Sequence, residues 1–256
     1  MRLAPTLDRP SPPSLTAPPD ASLRFRSAHI GLALVHLAQA VLALLVAGDV
    51  GIAITRETGA AEAPWVEAPV GVLVAVYFLA AALNHGLSAT ALRDTYAAEL
   101  GAGRNRIRWA EYAVSAPILM LLVALVTGVR DVTAIVVIGA ATIVMVVLGW
   151  MQEALNPPVR RTTTMVPFWS GVAAAAVPWT IVAVHMLRAP GEQEFGLSIF
   201  LSLFILWAGF GVNQWLQYRQ VGRWSDYLYG EQTYLVLSLV AKSALAWMIV
   251  AGSSVV

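Results

Sequence analysis

The stretch Leu237–Trp247 reads LSLVAKSALAW and holds Lys242, the only lysine in a chain of 256 residues. Lys242 falls about eleven residues into an apolar run, Glu231–Ser254, or ~16 Å along a helix at 1.5 Å per residue. A helix needs roughly 20 apolar residues to cross a bilayer core. This run has that length, so the lysine would sit near the midplane. Six other runs meet the same requirement: Ala28–Gly48, Pro69–Leu92, Trp109–Val129, Val132–Gln152, Pro167–Leu187 and Phe195–Tyr218. They are apolar on nearly all faces and lack the two-residue alternation of a barrel strand. The fold class is therefore an all-α membrane protein, a seven-transmembrane-helix bundle.

Composition leads to the same class. Hydrophobic residues make up 58% and charged residues 12%, about half the charged share of a soluble domain. A soluble enzyme, a nucleic-acid binder and a disordered protein are excluded, and a net charge of +1 implies no polyanionic partner. The chain has no cysteine, so thiolate chemistry and cysteine-ligated metals are excluded.

Residues 1–27 read as a disordered tail, because Pro5, Pro10, Pro12, Pro13, Pro18 and Pro19 oppose a helix. Residues 28–256 read as one transmembrane domain. Within the longest loop, Asp49–Ala68, Val50, Ile52 and Ile54 alternate with other residues. Thr58-Gly59 offers a turn and Trp65-Val66 a return strand, which predicts a small hairpin.

The arginines set the orientation. Arg2, Arg9, Arg24 and Arg26 in the tail, Arg93, Arg104, Arg106 and Arg108, then Arg160 and Arg161, then Arg219 and Arg223 give twelve on one side. Arg56, Arg130 and Arg188 give three on the other. The positive-inside rule places the twelve, and the N-terminus, in the cytoplasm and the C-terminus outside.

A charge at the bilayer centre costs ~3 kcal/mol or more, so such a residue is usually paired and functional. A midplane amine can condense with an aldehyde to form a Schiff base, and the resulting buried cation needs an acid nearby. Glu111, in Arg108–Pro117 (RWAEYAVSAP), is the best placed. Glu153 and Glu231 read as interfacial helix-end residues.

Seven spans, the SLVAKSALAW stretch, RWAEY opening the third span and an inside N-terminus together resemble the heliorhodopsins. The resemblance covers all seven spans and makes 28–256 a retinal-binding domain. It implies all-trans retinal on Lys242, Glu111 as the single counterion, an outward-facing hairpin and a homodimer in a prokaryotic plasma membrane. It does not imply an enzyme. Glu111 lies only three residues past Arg108, which reads as shallow for a partner of Lys242. Either the third helix begins near Arg104 and dips further in, or Glu111 is not the counterion; the resemblance supports the first.

Ser238 shares a helix face with Lys242 and can bond the Schiff base or Glu111, or its own backbone. Trp109 and Tyr112 flank Glu111, and Met145, Pro178, Trp179, Trp207 and Phe210 lie on neighbouring spans. Singly each could be packing or an interface anchor; as a set around a lysine they suggest the pocket of the chromophore. His36, His85 and Asn84 fall in the inner halves of their spans and suggest a polar pocket that accepts a proton, histidine having a pKa near neutrality. Ordinary helix–helix hydrogen bonding is the alternative. His29 and His185 read as interfacial.

No acid lies between Glu111 and Arg130, and Ser238 precedes Lys242 by one turn where a pump would carry a carboxylate. The resulting expectation is a light sensor acting through an unidentified cytoplasmic partner or across the dimer. The alternatives are a light-driven ion transporter or light-gated channel, and a retinal-free transporter or receptor holding a Lys242–Glu111 ion pair.

Overall fold

The computed structural model describes residues 19–58, 61–157, 162–188 and 193–253. Among them are eight α-helices: α1 (Pro19–Ala47), α2 (Val70–Ala89), α3 (Arg93–Gly101), α4 (Arg106–Val126), α5 (Val132–Ala154), α6 (Val166–Arg188), α7 (Gln193–Arg219) and α8 (Tyr227–Ser253). Strands β1 (Gly51–Thr58) and β2 (Ala61–Pro69) link α1 to α2, and a 3-10 turn, Gly222–Ser225, precedes α8. Six of the long helices are each long and apolar enough to cross a membrane, and α7, at 27 residues, completes the seven. The nine-residue helix α3 lies between α2 and α4, where the sequence predicts only a loop.

The seven long helices close into a ring. Each packs on the next in the order α1, α2, α4, α5, α6, α7, α8, and α8 packs back onto α1. The α8 helix also touches α2 and α4, so the helix carrying Lys242 faces several others. Outward faces stay apolar, as a lipid solvent requires: Leu45, Val136, Leu187 and Ile205 are all exposed.

The helix α1 starts at Pro19, nine residues before the expected Ala28. Proline suits the first position of a helix because it has no N–H to leave unpaired. From there Phe25 is buried against Tyr96 of α3, their ring centroids 6.4 Å apart. The expected disordered tail is thus helical over 19–27, and residues 1–18 lie outside the described residues. Pro117 and Pro178 lie inside α4 and α6.

The hairpin forms as the alternation predicts, with Ile54 opposite Val66 and Thr55 opposite Pro64, leaving Trp65 as the bulge. Ile52 and Ile54 are buried in the bundle core. The Thr55 N–H bonds the Arg130 carbonyl at 2.9 Å, tying the hairpin to the α4–α5 turn. Asn105 caps α4 through Arg108 N–H at 3.0 Å, and Asp131 caps α5 through Ala134 N–H at 2.8 Å.

Candidate functional site

Lys242 of α8 and Glu111 of α4 form a direct ion pair, Nζ to Oε1, with both side chains buried. The Tyr77 ring of α2 and the Tyr112 ring of α4 flank the ammonium at 5.4 and 5.3 Å, close enough for cation–π attraction. The depth mismatch has a structural resolution. The carboxylate of Glu231 accepts from Asn105 Nδ2 at 2.8 Å and meets Arg108 at 3.2 Å, so residue 231 of α8 is level with residues 105–108 of α4. From that level Glu111 lies up to six residues along α4 and Lys242 eleven along α8. A helical side chain leans toward its N-terminus, so the long lysine stem reaches back across the difference. Arg108 does not mark the membrane surface, since it is buried inside the bundle.

One turn before Lys242, the hydroxyl of Ser238 shares hydrogen bonds with His85 Nε2 at 2.8 Å and His36 Nε2 at 3.3 Å. His85 Nδ1 in turn shares one with His29 Nδ1 at 2.8 Å. The His36 ring stacks on His85 at 5.7 Å with 9° between planes, and His29 meets Tyr96 edge-on at 4.7 Å. A neutral imidazole donates at one nitrogen and accepts at the other, so Ser238, His85 and His29 form an ordered chain leading toward α3. His29 is 2% exposed, which corrects its interfacial reading. It lies seven residues before His36, two turns on the same helix face, and that spacing was the available signal. Asn84 is half-buried on α2 and its Oδ1 finds no hydrogen-bond partner among the described residues, so it is not a link in the chain. Burial, and secondarily the Glu231 carboxylate, hold the Tyr96 phenol well above its ordinary range.

A second charged cluster lies at the arginine-rich end. Arg108 Nη2 meets Glu153 at 2.9 Å as well as Glu231, and its guanidinium lies 3.7 Å from the Tyr234 ring centroid. Tyr227 Oη donates to Glu153 at 2.8 Å, and the Trp109 indole N–H donates to the same carboxylate. Glu153 and Glu231 are 3% and 2% exposed, so neither is the interfacial residue that its place at a helix end suggested. Glu231 precedes Ser238 by seven residues and Lys242 by eleven, on one face of α8.

Beside Tyr112 lies a cavity of about 470 Å³, within the roughly 300–1,000 Å³ of small-molecule sites. Its wall takes Trp109, Tyr112, Met145, Trp179, Trp207 and Phe210. Pro178, buried one residue before Trp179, is not in the wall. Trp179 meets Trp207 edge-on at 5.5 Å, and Tyr112 meets Phe210 edge-on at 5.7 Å. Gly149 completes the floor, since a Cβ there would lie 2.5 Å from the Trp109 ring. The cavity opens between α6 and α7, where Trp169 and Val212 are exposed. An aromatic slot with Tyr112, one of the two rings that flank Lys242, in its wall fits a long polyene aldehyde. Asn213 and Gln214 of α7 bond the backbone carbonyls of Gly230 at 3.0 Å and Gly149 at 2.8 Å.

The sequence profile of the heliorhodopsins matches residues 25–254. The chain belongs to the heliorhodopsin family. No curated protein sequence matches it. Among solved structures, the heliorhodopsin bundle is similar to xanthorhodopsin, a light-driven ion pump with dual chromophore, at TM-score 0.68 and 13% identity, covering 93% of this chain and 95% of that one. The inward H⁺ pump xenorhodopsin gives TM-score 0.64 at 12% identity, covering 94% and 96%. The transmembrane domain of Salpingoeca rosetta rhodopsin phosphodiesterase gives 0.62 at 15%, covering 95% and 92%. At these identities the likeness shows the seven-helix fold alone. As a heliorhodopsin the protein is an integral membrane protein of the retinal photoreceptor type, and retinal is the chromophore the family implies.

Proposed function

We propose that this heliorhodopsin is a light sensor whose photocycle moves a proton within the protein and pumps no ion. Joined to Lys242, all-trans retinal supplies light-driven isomerisation and a proton on the linking nitrogen. Glu111 balances the positive charge at that nitrogen, and Tyr77 and Tyr112 keep the pair out of water. Ser238, one turn away, takes up the hydrogen bond when the Glu111 contact is disturbed. His85 and His29 then hold the proton, and His36, stacked on His85, shares the load at the same hydroxyl. The observation that carries this reading is the one-sided path: two imidazoles, His85 and then His29, lead from Ser238 toward the arginine-rich end, with His36 a side branch on the same hydroxyl. The buried core at the hairpin end is built from residues such as Val74, Leu122, Leu125 and Ile249. A proton parked on the histidines has a return path to Lys242 and, among the described residues, meets this aliphatic core in the outward direction.

The arginine-rich end faces the cytoplasm, which the twelve-to-three division of arginines supports. The output passes to a cytoplasmic partner or across a homodimer in a prokaryotic plasma membrane. Flash photolysis with simultaneous current recording on the retinal-loaded protein tests the proposal. Transient proton signals without a stationary photocurrent are expected; a sustained current under continuous light overturns it.

A further inference from the structure

The hairpin end carries only Arg56, Arg130 and Arg188, yet two of these three line one cleft of about 420 Å³. Arg130 enters from the α4–α5 turn and Arg188 from the last turn of α6. His185 stands in the same wall, its Nε2 3.3 Å from where a Cβ on Gly128 would lie. Gly128 has φ +91°, so a side chain would be strained there as well as crowding the imidazole. The one acid in the wall, Asp131, is engaged in capping α5. The Arg130 backbone is pinned by the hairpin through its carbonyl. The cleft therefore gathers two arginines beside the positive end of a 23-residue helix.

Apart from Thr180, the rest of the wall is apolar, with Ile181 and Val184 of α6 in it. Val184 is 39% exposed, and Leu187, one turn on, is 78% exposed. Cations at the helix ends thus lie directly above an apolar surface that faces lipid. We propose that this cleft binds the phosphate of an anionic phospholipid from the leaflet at the hairpin end, with an acyl chain lying along Val184 and Leu187. Guanidinium groups pair with phosphate oxygens in a fork geometry, and the apolar surface is what separates a lipid from a free phosphate.

The test is native mass spectrometry of the full retinal-loaded chain released from nanodiscs of equimolar phosphatidylglycerol and phosphatidylcholine. Phosphatidylglycerol should be retained in preference, and Arg130→Gln/Arg188→Gln should cut that preference by about fivefold per arginine. Arg56→Gln, on the hairpin and outside the cleft, should leave it unchanged, and Arg130→Lys/Arg188→Lys should keep most of it if the glutamine pair fails to fold. Equal retention of the two lipids, or an undiminished preference in the glutamine variant, overturns the site. Displacement of phosphatidylglycerol by millimolar inorganic phosphate assigns the cleft to a free anion and overturns the lipid reading.

Discussion

His85 of α2 and Ser238 of α8 share a 2.8 Å hydrogen bond across 153 positions of sequence, and Ser238 stands one turn before Lys242. The hydroxyl is therefore the link between the lysine and the imidazoles. Ser238→Ala should leave the dark absorbance almost unchanged and slow the rise of the blue-shifted photoproduct by roughly a hundredfold, the low end of what a positioned proton-transfer group contributes. The imidazoles should rank by their place in the path: His85→Ala the largest effect on photoproduct decay, His29→Ala next, His36→Ala least. Flash photolysis reads all four, and a dominant His36 effect would reverse the order of the chain.

Glu111 is the carboxylate in contact with Lys242. Glu111→Gln removes its charge, so the absorbance maximum of the retinal-loaded protein should move strongly to the red. Lys242→Ala should show no visible band with retinal. An unshifted Glu111→Gln spectrum would overturn Glu111 as the balancing charge.

Arg108 holds two buried carboxylates. Arg108→Gln leaves both without their cation and should cost about 3–5 kcal/mol, as breaking a buried ion pair from one side does. Glu153→Gln or Glu231→Gln leaves one carboxylate for one guanidinium and should cost less. Thermal bleaching of the pigment in detergent ranks the three.

Gly149 lies under the Trp109 ring in the cavity floor. Gly149→Ala should push the indole into the cavity, shifting the absorbance maximum and destabilising the fold by about 1–3 kcal/mol through overpacking. Gly139 on the same helix has open space where its Cβ would go, so Gly139→Ala is the control and should move neither readout.

Glu99 anchors α3 by accepting from Arg106 Nη2 at 2.7 Å and Arg104 Nε at 3.2 Å. Burial pushes its carboxyl up, but the bonds and charges of Arg106 and Arg104 win and hold it below its usual 4.5. A depressed folded value means the anchor is fully present above about pH 5 and is lost as pH falls through that value. Amide-exchange protection of α3 should therefore drop in acid. Glu99→Gln should flatten the response; because both arginines are about half exposed, the effect is modest.

The sequence by itself determined the bundle. Seven apolar runs of membrane-spanning length admit little else, because backbone polar groups in lipid must be satisfied within each helix. A solitary lysine in the last run, with Glu111 the only acid well placed to meet it, was legible for the same reason: hydrocarbon does not tolerate an unpaired charge. The hairpin was legible because alternation needs only local spacing.

Tertiary structure decided which polar side chains meet. Arg108, Glu153 and Glu231 all lie near helix ends, where sequence depth alone reads as interface. Packing α4, α5 and α8 together buries the three as one cluster, and Arg108 then ceases to mark the membrane surface. His29 looked peripheral for the same reason, until α3 and its Tyr96 closed over it. Depth along a helix follows from residue count, but burial depends on what a neighbouring helix lays across it, and only the folded bundle fixes that.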